Sequence, residues 1–223
     1  MATAVETSKR TLEGEQRFVL RDIGWEGYES LLAMVGDGHV RLTFDGKDVE
    51  LMSPSQDHES LAVLIGRIIT TVAEELDIPC LDLRTTTWRK RVKEKGLEAD
   101  NCFYFHPLPD VRRRRQIDLT VDRPPGLAVE VEISRSALDR MSVYAMLGVP
   151  EVWRYDGETL GIDRLQPDGS YLRVEVSPNL AVITPEEVVY WIVRGDEIGN
   201  HSAFGRQLRA WVREELLPRQ QTQ

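Results

Sequence analysis

Residues 127–133 read L-A-V-E-V-E-I. Leu127, Val129, Val131 and Ile133 alternate with Ala128, Glu130 and Glu132, which is the period of a β-strand. Side chains two apart on a strand share a face, so Glu130 and Glu132 point the same way, about 7 Å apart. Like charges on one face of a core strand are costly unless a cation sits beside them. Taken alone, the strand reads as half-exposed, with two solvated glutamates. A bound divalent cation is the alternative, and the residues around the strand favour it.

The same reading extends along the chain. Residues 24–35 form a short helix, with Leu31, Leu32 and Val35 on its apolar side. Residues 39–44 and 48–52 alternate as strands around the hairpin signal Asp45-Gly46. Leu61, Leu64, Ile65, Ile68, Ile69, Val72, Ala73 and Leu76 recur at helical spacing. That helix starts at Ser53 or Ser55 as cap, with Pro54 in an early position, and ends by Pro79. Residues 80–91 are extended, and 97–105 make a strand carrying Glu98 and Asp100. A Pro- and Arg-rich loop at 106–115 precedes a short strand at 117–121. A helix leads from Asp139 to Leu147, closed by Gly148. Strands at 151–155, 160–165 and 171–176 follow, joined by Asp-Gly turns. Thr184 and Glu187 form a capping box for a helix to residue 193, and 204–216 is a last amphipathic helix. The outline is an α/β (α+β) fold, a mixed sheet flanked by helices, with the long helix on one face. Residues 1–17 read as a polar lead, 18–217 as one domain and 218–223 as a tail.

Composition adds exclusions. The chain has 223 residues, 41% hydrophobic and 29% charged, which fits a folded globular protein. No apolar run approaches the roughly 20 residues a membrane span needs. The first residues lack the apolar stretch of a secretory leader. Two cysteines without C-x-x-C spacing argue against a disulfide framework or a zinc ribbon and fit a reducing cytoplasmic setting. The histidines are scattered, so no His-based metal motif is visible. The net charge of −9 disfavours polyanions on average, yet residues 84–123 hold eleven Lys or Arg against six acids, a local +5. Such a patch can hold a phosphate backbone.

Asp100 and Glu130 stand on consecutive strands, and the helix after Glu130 supplies Arg140, with Tyr144 one turn on. Hard oxygen ligands on rigid elements beside a cation are what metal-assisted phosphodiester hydrolysis requires. The segments E-L-M-S-P-S-Q-D-H-E (50–59), L-E-A-D-N-C-F-Y-F (97–105), P-P-G-L-A-V-E-V-E-I-S (124–134) and D-R-M-S-V-Y-A-M-L-G-V-P-E-V-W-R (139–154) carry a resemblance. Over residues 45–190 the sequence resembles the Uma-type family of restriction endonucleases, within the PD-(D/E)xK nuclease superfamily.

The resemblance implies a restriction-endonuclease-like fold and Mg²⁺-dependent cleavage of DNA, with Mn²⁺ as a substitute. Asp100 and Glu130 match the metal-binding acids, and Val131 would offer its carbonyl to the metal. Glu132 falls where the superfamily signature has lysine. The family often carries that lysine on the following helix, and Arg140 holds the matching position. Arginine can clamp a phosphate, but it cannot act as a general base. Glu59 could complete the acidic cluster, or serve as a first-turn acid at the helix dipole. Arg112, Arg113, Arg114 and Arg115 are candidate DNA contacts, although a charge run is more often a solvated loop. His58 reads as a cap or hydrogen-bonding residue, and Tyr144 and Cys102 as core. A homodimer would suit cutting both strands. The rival class is a relative without turnover, a nucleic-acid-binding or protein-interaction domain.

Overall fold

The computed structural model describes residues 11–36, 38–85, 87–90, 94–108 and 116–222. The strands are β1 (Gln16–Leu20), β2 (Arg41–Phe44), β3 (Val49–Ser53), β4 (Cys80–Asp82), β5 (Thr87–Lys90), β6 (Lys95–Glu98), β7 (Asn101–Phe105), β8 (Gln116–Asp118), β9 (Leu127–Val131), β10 (Glu151–Tyr155), β11 (Leu160–Leu165) and β12 (Tyr171–Val174). The helices are α1 (Gly24–Val35), α2 (Gln56–Glu75), α3 (Arg140–Leu147), α4 (Pro185–Ile198), α5 (His201–Trp211) and α6 (Leu217–Gln221), with a π-helical turn at Val212–Leu216 between the last two. Among the described residues no helix is long and apolar enough to cross a membrane.

The class is mixed α/β, as the pattern predicts, but the strands divide between two sheets. One runs β1-β3-β2-β6-β5-β8 and the other β12-β11-β10-β9-β7-β4. Each is antiparallel apart from one parallel pair, β5 with β8 and β9 with β10. The reason lies in residues 97–105. The single strand expected there breaks at Ala99 and Asp100, so that β6 pairs with β2 and β5 in one sheet while β7 pairs with β4 and β9 in the other. Asp100 sits where the chain crosses between the sheets.

Three apolar clusters hold these layers. Ile65, Ile68, Ile69 and Val72 of α2 pack on Phe103, Val129 and Val131, with α4 and α5 closing the cluster. Trp88, Leu97, Cys102, Tyr104, Ala128, Tyr144 and Val152 fill the space around α3 between the sheets. Trp25 and Tyr28 of α1 cover Leu42 and Phe44. Each such side chain contributes about 1.5–3 kcal/mol on burial. Of the two serines offered as caps for α2, Ser55 takes the role, accepting from the His58 N–H at 3.1 Å. Gly148 closes α3 at φ +81°, a left-handed turn that suits glycine.

Three boundaries move. The polar lead expected over residues 1–17 ends earlier, because Gln16 opens β1 and Glu15 is buried. The tail expected after residue 217 is helical as α6, held by Arg219 on Glu187 at 2.8 Å and Gln220 on the Leu76 carbonyl at 3.2 Å. And β9 is neither an edge nor half-exposed: it lies between β10 and β7, and all five of its residues are buried.

Candidate active site

Burial of β9 on both faces turns its alternation into a placement. Leu127, Val129 and Val131 face α2, and Ala128 and Glu130 face α3 and the first sheet. Glu130 is 6% exposed and needs a counter-charge. Asp139 caps α3, accepting from the Ser142 N–H at 3.1 Å, and so fixes the helix start that presents Arg140 and Tyr144 one turn apart. Arg140 Nη2 donates to Glu130 Oε1 at 2.6 Å, and the Tyr144 hydroxyl donates to the same oxygen. Arg140 also donates to Thr43 Oγ1 and, at 2.9 Å, to the Glu98 carbonyl. One guanidinium thus ties β9, β2 and β6 together. Burial works to lower the pKa of Arg140, but the groups around it, Glu130 foremost and then Tyr144 and Glu50, together outweigh it and raise the pKa above the usual value. Arg140 Nε is buried and meets no acceptor.

Asp100 follows from the β7–β9 register. Asn101 stands opposite Val129, and Asp100 comes just before it, where the chain enters β7 beside β9. Asp100 Oδ2 accepts from the Val131 N–H at 2.6 Å. Its other oxygen accepts from Arg41 Nη1 and lies 3.0 Å from His58 Nε2. Arg41 Nη2 reaches Glu59 at 2.5 Å, and His58 Nδ1 lies 2.6 Å from Glu15 Oε1. Glu15 further accepts from the Ile133 and Ser134 N–H groups at 3.1 and 2.6 Å. Burial lowers the pKa of Arg41, opposed first by the Glu59 charge and then by Glu130.

Two cavities open on this cluster. One, of about 740 Å³, is lined by Glu130, Glu132, Arg135, Asp139, Arg140 and Arg154 among others. The second, of about 440 Å³, is lined by Glu59, Arg67, Asp82, Arg84, Asp100 and Asn101 among others. Glu132 follows the last residue of β9, accepts from the Ser136 N–H at 3.2 Å, and shares the first cavity with Glu130.

The structure buries both Asp100 and Glu130 but sets them on the walls of different cavities, places Glu132 beside Glu130, and joins Glu59 to Asp100 through Arg41. The expectation of Arg140 as a phosphate clamp needs revision, because its guanidinium is committed mainly to Glu130. His58 does serve as a buried hydrogen-bonding residue. The Val131 N–H is taken by Asp100. Arg112, Arg113, Arg114 and Arg115 lie outside the described residues. Sequence reasoning missed Arg41, Glu15 and Thr43. The signal for Arg41 and Thr43 was their alternation with Leu42 and Phe44, which places both on one face; that face looked solvated but is buried. Glu15 carried no such signal.

These features define a two-sheet α/β protein with paired buried carboxylates, each matched to an arginine. A family model matches residues 25–194, and the chain belongs to that family, Uma2, described as "Putative restriction endonuclease". The chain is similar to a solved structure described as a "putative nuclease belonging to DUF820 from Anabaena variabilis ATCC 29413", at 12% identity and a TM-score of 0.49, covering 68% of this chain and 90% of that one. No curated protein matches.

The donor set can be weighed against a divalent metal. Among the described residues, no three His, Cys, Asp or Glu side chains converge as they stand on a point that could hold one. Asp100 and Glu59 meet at Arg41, and Glu130 meets Arg140. The chemistry of the donors, carboxylate oxygens on rigid elements, fits a hard divalent cation.

Proposed function

We propose that this chain is an endonuclease that hydrolyses phosphodiester bonds in DNA with a divalent metal, Mg²⁺ or in its place Mn²⁺. Family membership supports nuclease chemistry. The observation that carries the finer reading is the presence of two buried carboxylates, Asp100 just before β7 and Glu130 on β9, the strand that pairs with it. Burying charges costs stability that apolar residues would not, so their presence at the crossing of two sheets calls for a function.

Asp100 and Glu130 hold the metal in this reading. When bound, the metal polarises the phosphate and lowers the pKa of an attacking water. Arg140 orients Glu130 by donating to its Oε1. Arginine does not take a proton at working pH, so the proton of the attacking water passes to Glu132 on the cavity wall or to solvent.

The test is incubation of supercoiled plasmid and a short duplex with purified protein, with and without Mn²⁺, for the parent, Asp100→Asn and Glu130→Gln. Cleavage by the parent alone, and only with metal, is expected. Equal cleavage by the variants would overturn the site assignment. The second reading, a DNA- or protein-binding relative without turnover, is favoured by the arginine pairing of both acids. It replaces the first if the parent neither cuts nor binds Mn²⁺.

A further inference from the structure

Behind two acids on the wall of the second cavity, Glu59 and Asp100, lies an arrangement that the proposed reaction does not use. Arg41, on β2, bridges two acids from different elements: Asp100 at the sheet crossing and Glu59 in the first turn of α2. The Asp100 side chain is fully buried, whereas that of Glu59 is 50% exposed. Arg41 itself is 6% exposed at its side chain. The guanidinium is therefore lodged between a buried acid and an acid at the mouth of a cavity, where two carboxylates would share a cation.

Resting on the metal reading of this site, we propose that Arg41 is an internal competitor for the metal, and that the site loads only when its guanidinium leaves Asp100. A divalent ion touching Asp100 with Arg41 in place would stand within a few ångströms of a second cation, in surroundings that screen little. The two cations exclude each other. Once displaced, the guanidinium needs another anion, because a buried charge without a partner is costly. The cavity of about 440 Å³ gives it room beside Arg67 and Arg84. Three arginines around that space would receive a phosphodiester, and Arg41 on the phosphate would leave Asp100 to the metal. Metal and DNA then bind cooperatively, each raising the affinity of the other by the same factor.

The experiment is a Mn²⁺ titration without DNA, read by calorimetry and by electron paramagnetic resonance of free Mn²⁺. It compares the parent, Arg41→Gln, Arg41→Lys and Asp100→Asn. Arg41→Gln should bind Mn²⁺ about tenfold or more tightly than the parent, the usual scale of coupling between sites. Arg41→Lys, which keeps the charge, should stay near the parent, and Asp100→Asn should lose binding. If Arg41→Gln binds no tighter, or Arg41→Lys binds as tightly as Arg41→Gln, competition by charge is wrong, while Mn²⁺ binding by the parent preserves the metal reading. If none of the proteins binds Mn²⁺, both fall. Arg41→Gln leaves Asp100 uncompensated, and it could fail to fold in buffer alone. Recovery of the folded circular dichroism spectrum on adding Mn²⁺, with a larger rise in Tm than the parent shows, is then the expected result; no recovery overturns the proposal.

Discussion

At the scale of single residues, the molecule is organised by buried acids and what neutralises them. Glu15 is the clearest case for stability. Burial works to raise its pKa, but the hydrogen bonds from His58 and Ser134 dominate and bring it down to about 2. A carboxylate with a depressed folded pKa contributes stability that is present above its unfolded value, about 4.3, and is lost as pH falls through the folded value. Glu15→Gln should therefore cost about 2 kcal/mol at pH 7, the scale of hydrogen bonds to a charged group. The gap from the parent should close between pH 4.5 and 2. Urea unfolding at pH 7, 4 and 2.5 measures it, and a gap independent of pH would assign the loss to packing instead. The Arg140–Glu130 pair predicts a different signature. Arg140→Ala strands a buried carboxylate and should cost about 3–5 kcal/mol. Replacing both residues, as Arg140→Met with Glu130→Gln, should cost less than the sum of the two single changes by about 0.5–3 kcal/mol. Strict additivity in urea melts would mean that the two groups are not coupled.

At the scale of elements, close packing decides which positions tolerate change. A Cβ on Gly96 of β6 would lie 2.6 Å from Tyr28 Cζ and 2.7 Å from its Cε1, in the wall of a ring that is itself stacked on Phe44 at 5.0 Å. A Cβ on Gly161 of β11 would also overlap a neighbour, the Arg173 guanidinium, but that group ends a flexible chain 55% exposed to solvent. Gly96→Ala should destabilise by about 1–3 kcal/mol through overpacking, and Gly161→Ala by less, because Arg173 can swing aside. Thermal unfolding ranks the two, and the opposite order would contradict this packing. The same contrast between local and long-range determinants explains what could be read from the sequence. The capping box at Thr184 and the alternation of β9 are local, and both were legible, as was the choice of Ser53 or Ser55 as the cap of α2. Asp100 and Glu130 stood out as candidates through their motifs, and both prove to be buried. The break at Ala99–Asp100 was not, because nothing in L-E-A-D-N-C-F-Y-F marks a change of sheet; the change arises when Asp100 binds Arg41 and the Val131 N–H, both distant in sequence. Arg41 and Glu15 were hidden for the same reason, since their partners lie 59 and 43 residues away.

At the scale of the whole molecule, the proposed DNA substrate raises the question of how a chain of net charge −9 would meet a polyanion. Its basic excess sits in residues 84–123, but the described arginines there are unequal. Arg89 is spent on Glu29 at 2.8 Å, and Arg123 donates to the Phe105 carbonyl while lying over the Tyr104 ring. Arg84 is exposed and lines the cavity that holds Asp100. Phosphate contacts would then come from Arg84 and from Arg112 to Arg115, not from the segment as a whole. Each phosphate neutralised steepens the fall of log affinity with log salt by about 0.9. Replacing Arg112, Arg113, Arg114 and Arg115 with alanine should flatten the slope by up to about 3.6 if all four reach phosphates. Arg84→Ala should flatten it by about 0.9, and Arg89→Ala should leave it unchanged, because its charge is already used inside the protein. Fluorescence anisotropy with a labelled duplex across a salt series distinguishes these variants. A slope insensitive to the four-alanine variant would make that run a solvated loop. A slope that falls equally for Arg89→Ala would mean that net charge, rather than particular contacts, governs the proposed binding of DNA.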